Sequence, residues 1–441
     1  MTRDDADDAG STPDVVGPPA SGTTRRAVLG LSAAGIAGLL GGTALGRASA
    51  PAPGPWPVGS TAGPPVGEAY PFEGEHQAGI TTRVQDHLHF AAFDMSPRAG
   101  RDELVELLRD WSYAASRITR GLDVSASGAL AGDPLAPPDD TGEAIGLPAS
   151  GLTVTIGFGP TLFERDGQDR FGVAARRPAG LAPLPSFVGD ALKAEWSHGD
   201  LCIQACADDP QVAVHAIRNL SRIAFGRASV RWSQMGFGKT SRTTAEAATP
   251  RNLFGFKDGT ANILATDAPR LREHVWVQPD DEPAWLVGGT YLVARKIEML
   301  LEPWDRTQLR EQETVIGRDK SHGAPLSGGG ELTAPDFDAV LDGRPAIDVA
   351  SHVRLAHPDH NGGTSMLRRG YNYVDGSNAL GRLDAGLFFL AYVRDLAQFV
   401  TVQRNLSTDL LNEYIRHVGS ATFAVPPGVG PGGWVGETLF A

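Results

Sequence analysis

Residues 87–93 read HLHFAAF and, together with residues 80–85, alternate in the way that is typical of a half-buried β-strand. Residues 101–119 follow with apolar side chains at helical spacing. The pattern continues with two strands, an amphipathic helix and a last strand, at residues 152–158, 200–207, 209–225 and from Val230 onwards. This order predicts a ferredoxin-like unit, in which an antiparallel sheet carries two helices on one face.

A second set of elements lies beyond a Gly-rich, irregular joint at residues 236–282. Its predicted members are a strand, a helix, a short strand, a strongly apolar segment and a helix, at residues 289–299, 306–316, 353–356, 386–393 and 406–418. The economical interpretation is an α+β fold made of two related ferredoxin-like halves. The two sets share no close repeat in residue identity.

Composition limits the classes of protein to which the chain can belong. Of its 441 residues 41% are hydrophobic and 21% are charged, so a sizeable core is available and wholesale disorder is excluded. A net charge of −13 argues against a general nucleic-acid binder, which carries a basic face. Cys202 and Cys206 are too few for a disulfide scaffold or a four-thiolate metal site, so we expect two buried thiols.

The first 50 residues resemble an export signal. Arg25 and Arg26 precede an uncharged, Gly- and Ala-rich stretch at residues 31–45, and Ala48 and Ala50 are the small residues that a signal peptidase accepts. This pattern resembles a twin-arginine signal peptide, whose passengers are exported already folded. The alternative is a membrane anchor, which so short a stretch supports weakly.

We therefore expect residues 1–50 to be a twin-arginine signal and residues 51–74 to be a Pro- and Gly-rich linker. The expected location of the protein is the cell envelope, the periplasm or the extracellular space. The twin-arginine export machinery would be one of its partners.

Three sequence motifs carry residue types suited to a catalytic site. Residues 252–262 read NLFGFKDGTAN and place Asp258 in a Gly-rich turn, where the backbone can approach a flat group closely. Residues 351–358 read SHVRLAHP, and residues 366–373 read MLRRGYNY. Taken singly, an Asp-Gly pair is usually a turn and a lone histidine is usually structural. Only the ordered combination points to chemistry.

In this order the motifs resemble those of the dye-decolourising (DyP-type) haem peroxidases. Residues 75–80 (EHQAGI), 384–389 (DAGLFF) and 411–415 (LNEYI) are also similar to that family. The signal resembles that of its exported, deferrochelatase/peroxidase-like branch. The resemblance implies two ferredoxin-like halves of the dimeric α+β barrel superfamily, with one haem b per chain. We place the halves at residues 75–265 and 266–430, the second carrying the proximal ligand, and a tail at 431–441.

On the proximal side, the resemblance implies that His352 is the axial ligand of the haem iron. Its second ring nitrogen needs an acceptor that orients the ring. Asp409 matches the family's carboxylate best, and Asp384 and Asp395 remain alternatives.

On the distal side, the resemblance implies that Asp258 is the acid–base group and that Arg368 stabilises negative charge on the peroxide. Asn262 would help to hold a distal water. The connection at residues 357–363 departs from the family pattern and would reshape the haem rim. The residues expected along the haem are Gly259, Thr260, Ala261, Arg354, His357, Pro358, Asp359 and Arg368.

The function implied is a haem-dependent peroxidase that reduces hydrogen peroxide to water. It would oxidise dye-like or phenolic substrates, hence small aromatic reductants, in one-electron steps. One alternative is the release of iron from haem (a deferrochelatase), and another is a non-catalytic exported haem-binding protein, although a carrier does not need an Asp–Arg pair. A homo-oligomer and an iron-uptake or envelope partner both stay open, and no nucleic-acid partner is expected.

Overall fold

The computed structural model describes residues 67–281 and 283–441. The predicted signal at residues 1–50 and the part of the predicted linker at residues 51–66 lie outside the described residues. Within the described ranges, no helix combines the length and the apolar character that crossing a membrane requires.

The strands of the described chain belong to one large sheet and one small hairpin. Their bounds are β1 His87–Met95, β2 Thr153–Phe158, β3 Leu201–Ala207, β4 Ala228–Lys239, β5 Thr290–Met299, β6 Val340–Leu341, β7 Arg344–Pro345, β8 Leu367–Arg368, β9 Tyr371–Ser377, β10 Leu383–Val393 and β11 Ile415–Val425.

The α-helices of the described chain range from one turn to five. Their bounds are α1 Arg101–Ile118, α2 Pro160–Phe163, α3 Pro210–Ile223, α4 Ala268–His274, α5 Leu301–Arg306, α6 Leu309–Ile316, α7 His352–Ala356, α8 Leu396–Asn405 and α9 Glu437–Phe440.

The large sheet has the order β5-β11-β2-β3-β1-β4-β9-β10-β8, and a further pairing of β5 with β10 closes it into a barrel. Its two halves each follow the ferredoxin-like order: β2-β3-β1-β4 in the first and β11-β5-β10-β9 in the second. The halves meet where β4 pairs with β9 and where β11 pairs with β2. The predicted α+β fold of two ferredoxin-like halves is therefore confirmed.

The first half is held together by its two long helices. Helix α1 buries Leu104, Leu107, Leu108 and Trp111, and the Trp111 indole donates to the Leu220 carbonyl of α3 at 2.8 Å. Asp209 caps α3 by accepting from the Gln211 amide. The strand side chains on the other face, with Leu88, Phe90, Cys202 and Cys206 among them, form a second core. Both thiols are free and buried, as the sequence predicts.

Local structure differs from the sequence-based prediction in several segments. Residues 80–85 are irregular, and the strand begins only at His87. The predicted helix at residues 306–316 is divided, because the extended backbone of residues 307–308 separates α5 from α6. Residues 353–356 belong to the helical turn α7, because the Leu355 amide bonds back to the Ser351 carbonyl. Residues 406–418 hold two 3₁₀ turns and the start of β11. The extended backbone of Asp409, whose side chain caps the second turn, ends any longer helix there.

Both ends of the folded body extend further than predicted. In the predicted linker, Phe72 is 5% exposed, and the Glu68 carbonyl accepts from the Gly151 amide at 2.7 Å. In the predicted tail, α9 buries Leu439 completely. Residues 67–74 and 431–441 are therefore part of the folded body, because their apolar side chains have core positions to fill.

Candidate active site

A carboxylate and a guanidinium meet at one side of a deep cavity. Arg368 Nη1 donates to Asp258 Oδ1 at 2.9 Å, and Asn252 Nδ2 lies 3.3 Å from Asp258 Oδ2. Asp258 stands in the turn before Gly259, whose φ of +81° and tight approach to Ser241 exclude a side chain. Arg368 ends the short strand β8, which pairs with β10. The fold thus joins two motifs that are 110 residues apart.

Asn262 has a different role from the one predicted. Its amide nitrogen donates to the carbonyls of Arg242 and Arg368 at 2.8 and 2.9 Å, and its oxygen accepts from the Arg368 amide at 2.8 Å. Asn262 is buried and is absent from the cavity lining. It is a positioning residue that fixes the Arg368 backbone, because these hydrogen bonds occupy the side chain that was expected to hold distal water.

A histidine and a second carboxylate meet elsewhere in the same cavity. His352 Nδ1 donates to Asp409 Oδ2 at 2.6 Å, and Asp409 Oδ1 accepts from the Leu411 amide at 2.8 Å. The Asp409 side chain is 2% exposed, whereas that of His352 is 34% exposed. The bond fixes the proton on Nδ1, so Nε2 is the nitrogen left to bind a metal.

The carboxylate also changes the proton affinity of the ring. Burial alone would lower the pKa of His352, but the charge of Asp409 and its hydrogen bond outweigh burial, so the pKa lies above its usual range. Of the alternatives considered for this carboxylate, Asp395 caps α8 and Asp384 lies on β10. Asp409 is therefore the carboxylate that orients His352.

The other predicted cofactor residues divide into two groups. Gly259, Thr260, Ala261, His357 and Pro358 line the cavity. Arg354 and Asp359 are not among the lining residues, and their contact with haem stays a prediction. Arg354 Nη1 donates to the Phe337 carbonyl at 2.7 Å, and Asp359 is an exposed residue beside His357.

Sequence reasoning missed several arginines that line the cavity. Arg270 lies on α4 and bonds the Ser365 hydroxyl at 3.2 Å, and Arg318 is 7% exposed and bonds the carbonyls of Gly323 and Glu331. Arg295 of β5 is fully buried and pairs with Asp190. None belongs to a motif, so no local signal marked them. All residues that line the cavity come from residues 240–417.

The side chains that line the cavity suit a haem in their chemistry. Its walls include Ile297 and Met299 of β5 and Leu387 and Phe389 of β10, which provide the apolar surface that a porphyrin ring needs. His352 offers one ring nitrogen for iron. Arg270 and Arg318 are suitable donors for the two propionate carboxylates. The residues present therefore fit the cofactor.

An anchored imidazole and an Asp–Arg pair line one cavity, and these residue types are suited to bind iron and to activate peroxide. The fold and the site thus define a haem peroxidase. The protein-family model described as "Dyp-type peroxidase, N-terminal" matches residues 77–238, and the family model described as "Dyp-type peroxidase, C-terminal" matches residues 249–430. The chain belongs to the Dyp-type peroxidase family, and haem is its cofactor.

Relatives of known name support this assignment. The chain is 39% identical over 370 residues to the deferrochelatase of Escherichia coli K12, with 82% of this chain and 85% of that one covered. It is 41% identical to DtpA of Streptomyces lividans, covering 85% and 98% of the two chains at a TM-score of 0.77. A DyP-type peroxidase of Cellulomonas bogoriensis is 40% identical, covering 84% and 98% at a TM-score of 0.75.

Asp409→Asn tests the orientation of the axial histidine. An amide cannot supply the charge that holds the Nδ1 proton, so we expect roughly 10- to 100-fold weaker haem binding. The measurement is haem titration of the cofactor-free protein, followed by the Soret band. Asp395→Asn is the matched control, because asparagine still caps α8. Equal haem affinity in Asp409→Asn and the wild type would contradict the assignment.

Proposed function

We propose that the protein is an exported peroxidase whose Asp258–Arg368 pair activates hydrogen peroxide. The observation that carries this role is the 2.9 Å ion pair at the wall of a cavity that His352 also lines. When bound, haem supplies the electron-transfer chemistry. The chain supplies proton transfer, charge stabilisation and exclusion of water.

The two residues of the pair have different tasks. Before the O–O bond breaks, one peroxide oxygen must lose a proton and the other must gain one, and the Asp258 carboxylate can carry that proton between them. Arg368 cannot release a proton, so it stabilises the negative charge that develops on the oxygens. Asn262 holds the Arg368 backbone in place, and the ion pair with Asp258 holds the guanidinium before peroxide binds.

The test is the stoichiometry of turnover by the purified, haem-loaded protein. We expect one peroxide to be consumed for every two molecules of a phenolic reductant, as one-electron oxidation requires. Peroxide is followed by an electrode and the phenol by absorbance. A protein that binds haem but consumes no peroxide above the rate of free haem would be a carrier, and the proposal would be wrong.

Iron release from haem is the second candidate function, favoured by relatives that bear the name deferrochelatase. It requires the porphyrin to leave without its iron and with its ring intact. Metal-free porphyrin is fluorescent, so its appearance together with iron captured by a ferrous chelator would support this activity. Loss of the Soret band without porphyrin fluorescence would indicate ring destruction and would count against it.

The export proposal is supported by the sequence, in which Arg25 and Arg26 precede an uncharged stretch and Ala48 and Ala50 follow it. Replacing both arginines by lysine keeps the charge but removes the pair that the machinery reads. We expect most of the protein to stay in the cytoplasm of the producing cell, as measured by immunoblotting of cell fractions. Arg47→Lys is the control and should be exported. Normal export of the double variant would contradict a twin-arginine route.

A further inference from the structure

A second cavity, of about 650 Å³, lies beside the haem cavity and is rich in carboxylates. Its walls include Glu273, Asp280, Asp281 and Asp395, and we call it the acidic pocket. Arg394 also lines it, but Asp281 neutralises that guanidinium through hydrogen bonds of 2.6 and 2.8 Å. The remaining carboxylates give the acidic pocket an excess of negative charge.

A buried tyrosine also faces the acidic pocket. Tyr291 of β5 is 6% exposed, and its hydroxyl has no hydrogen-bond partner among residues 67–281 and 283–441. Burial raises the pKa of Tyr291, and the charges of Asp395 and Asp281 raise it further, so the phenol stays protonated. Tyr291 lines the acidic pocket, so its hydroxyl is available to a group bound there. The acidic pocket therefore offers an unused donor as well as negative charge.

The acidic pocket and the haem cavity share a thin wall. Gly362 and Gly363 line the acidic pocket, Ser365 and Met366 line the haem cavity, and Thr364 between them lines both. One stretch of backbone thus separates the two spaces. A molecule in the acidic pocket would lie close to the cofactor without entering the haem cavity.

Helix α8 and strand β5 also connect the two spaces. Asp395 and Gln398 at the start of α8 line the acidic pocket, and Phe399 in the next position lines the haem cavity. On β5, Tyr291 and Arg295 lie on the same face of the strand, roughly 13 Å apart by strand geometry, and line the acidic pocket and the haem cavity respectively.

We propose that the acidic pocket is the docking site for a small cationic aromatic reductant, such as a phenol that carries an ammonium group. The carboxylates would hold the ammonium group, and the Tyr291 hydroxyl would hydrogen-bond the phenol oxygen. The inference rests on the peroxidase function proposed above and adds to it the charge class of the reductant and the place where it binds.

The redox balance of this step is simple. Each phenol loses one electron to the cofactor in the neighbouring cavity and one proton to solvent, and becomes a neutral radical. Two phenols supply the two electrons, and the two protons released balance the two needed to convert one hydrogen peroxide into two waters. The ammonium group takes no part in the chemistry and serves only for binding.

The experiment compares two phenols of similar size and opposite charge, tyramine and 3-(4-hydroxyphenyl)propionate, as reductants for the haem-loaded protein. The variant is Asp280→Asn/Asp395→Asn, which removes two charges, keeps the α8 cap and leaves the Asp281–Arg394 pair intact. The control is Asp102→Asn/Glu106→Gln, which removes two exposed charges from α1.

We expect the ratio of kcat/KM for tyramine to that for the anionic phenol to fall about three- to tenfold in the pocket variant, through KM, since each solvent-accessible charge contributes only modestly to binding. The control should keep the wild-type ratio. In the wild-type protein, raising the salt from 10 to 200 mM should raise KM for tyramine, because the attraction is screened. This measurement of salt dependence uses only the wild-type protein, so its result does not depend on the folding of any variant.

The outcomes separate this inference from the function on which it rests. If peroxide turnover is normal but the ratio is the same in all three proteins and insensitive to salt, the acidic pocket does not bind the reductant and the inference is wrong. If the haem-loaded wild type oxidises neither phenol with peroxide, the proposed peroxidase function itself fails. Tyr291→Phe should weaken the binding of tyramine, as measured by calorimetry without peroxide, and unchanged binding would count against the role of the Tyr291 hydroxyl.

Discussion

His352→Ala should abolish stable haem binding and, with it, peroxide-dependent oxidation. The substitution removes the imidazole that Asp409 anchors in the cavity and leaves Asp409 Oδ2 without this hydrogen bond. We expect the Soret band of the purified protein to be lost or strongly shifted. Turnover should fall by at least about a hundredfold, comparable with the loss of a principal catalytic group. The measurement is the absorption spectrum before and after one equivalent of peroxide.

A matched histidine outside the cavity makes this result specific. The side chain of His322 is 84% exposed, so His322→Ala should keep the Soret band and its response to peroxide. Circular dichroism of the His352 variant should show an intact fold, because the side chain packs against the cavity rather than the core. A normal Soret band and normal turnover in His352→Ala would remove His352 from the site.

Asp258→Ala and Asp258→Asn should separate haem binding from peroxide activation. Both variants keep His352 and the apolar walls, so the Soret band should remain. Both lose the carboxylate that carries the peroxide proton, so the rate constant for reaction with peroxide should fall by roughly 10²- to 10⁴-fold. Stopped-flow absorbance at the Soret band measures that rate directly.

The control for this series is Asp336→Asn, which removes an exposed carboxylate from the segment before β6. It should react with peroxide at the wild-type rate. If both Asp258 variants reacted undiminished, Asp258 would not be the acid–base group and water would have to carry the proton, since Arg368 cannot release one. Arg368→Leu should also slow the reaction, by roughly 10²- to 10³-fold, since it removes the charge that stabilises the developing anion.

The fold could be predicted from the sequence to a large extent, because strand alternation and helical spacing are local signals. They predicted the order of elements in the first half and the strand at β5, and they marked residues 386–393 of β10 only as strongly apolar. The predictions from these local signals were wrong where contacts with residues distant in sequence determine the local structure. Residues 353–356 alternate like a strand, yet the helix α7 forms there. The helix predicted at residues 406–418 is interrupted at Asp409, whose backbone is extended and whose carboxylate accepts from the Leu411 amide. Such outcomes depend on neighbours that the local pattern does not show.

The site could be predicted only where motifs carry it. Asp258, Arg368, His352 and Asp409 were found through the family resemblance, and the structure brings them together in two pairs. Arg270 and Arg318 escaped notice because an isolated arginine has no sequence signal. The role of Asn262 depends on a contact across 106 residues, which residue type and spacing do not reveal.

The position in the sequence of the residues that line the haem cavity has a consequence for engineering. Because residues 240–417 supply the whole lining of the haem cavity, β1, β2, β3, α1 and α3 are a support rather than a part of the reactive centre. Stabilising substitutions commonly lower activity when they make a catalytic centre more rigid. These five elements are a place where such changes can accumulate, or where a reporter or surface tether can be attached, while the chemistry is left as it is.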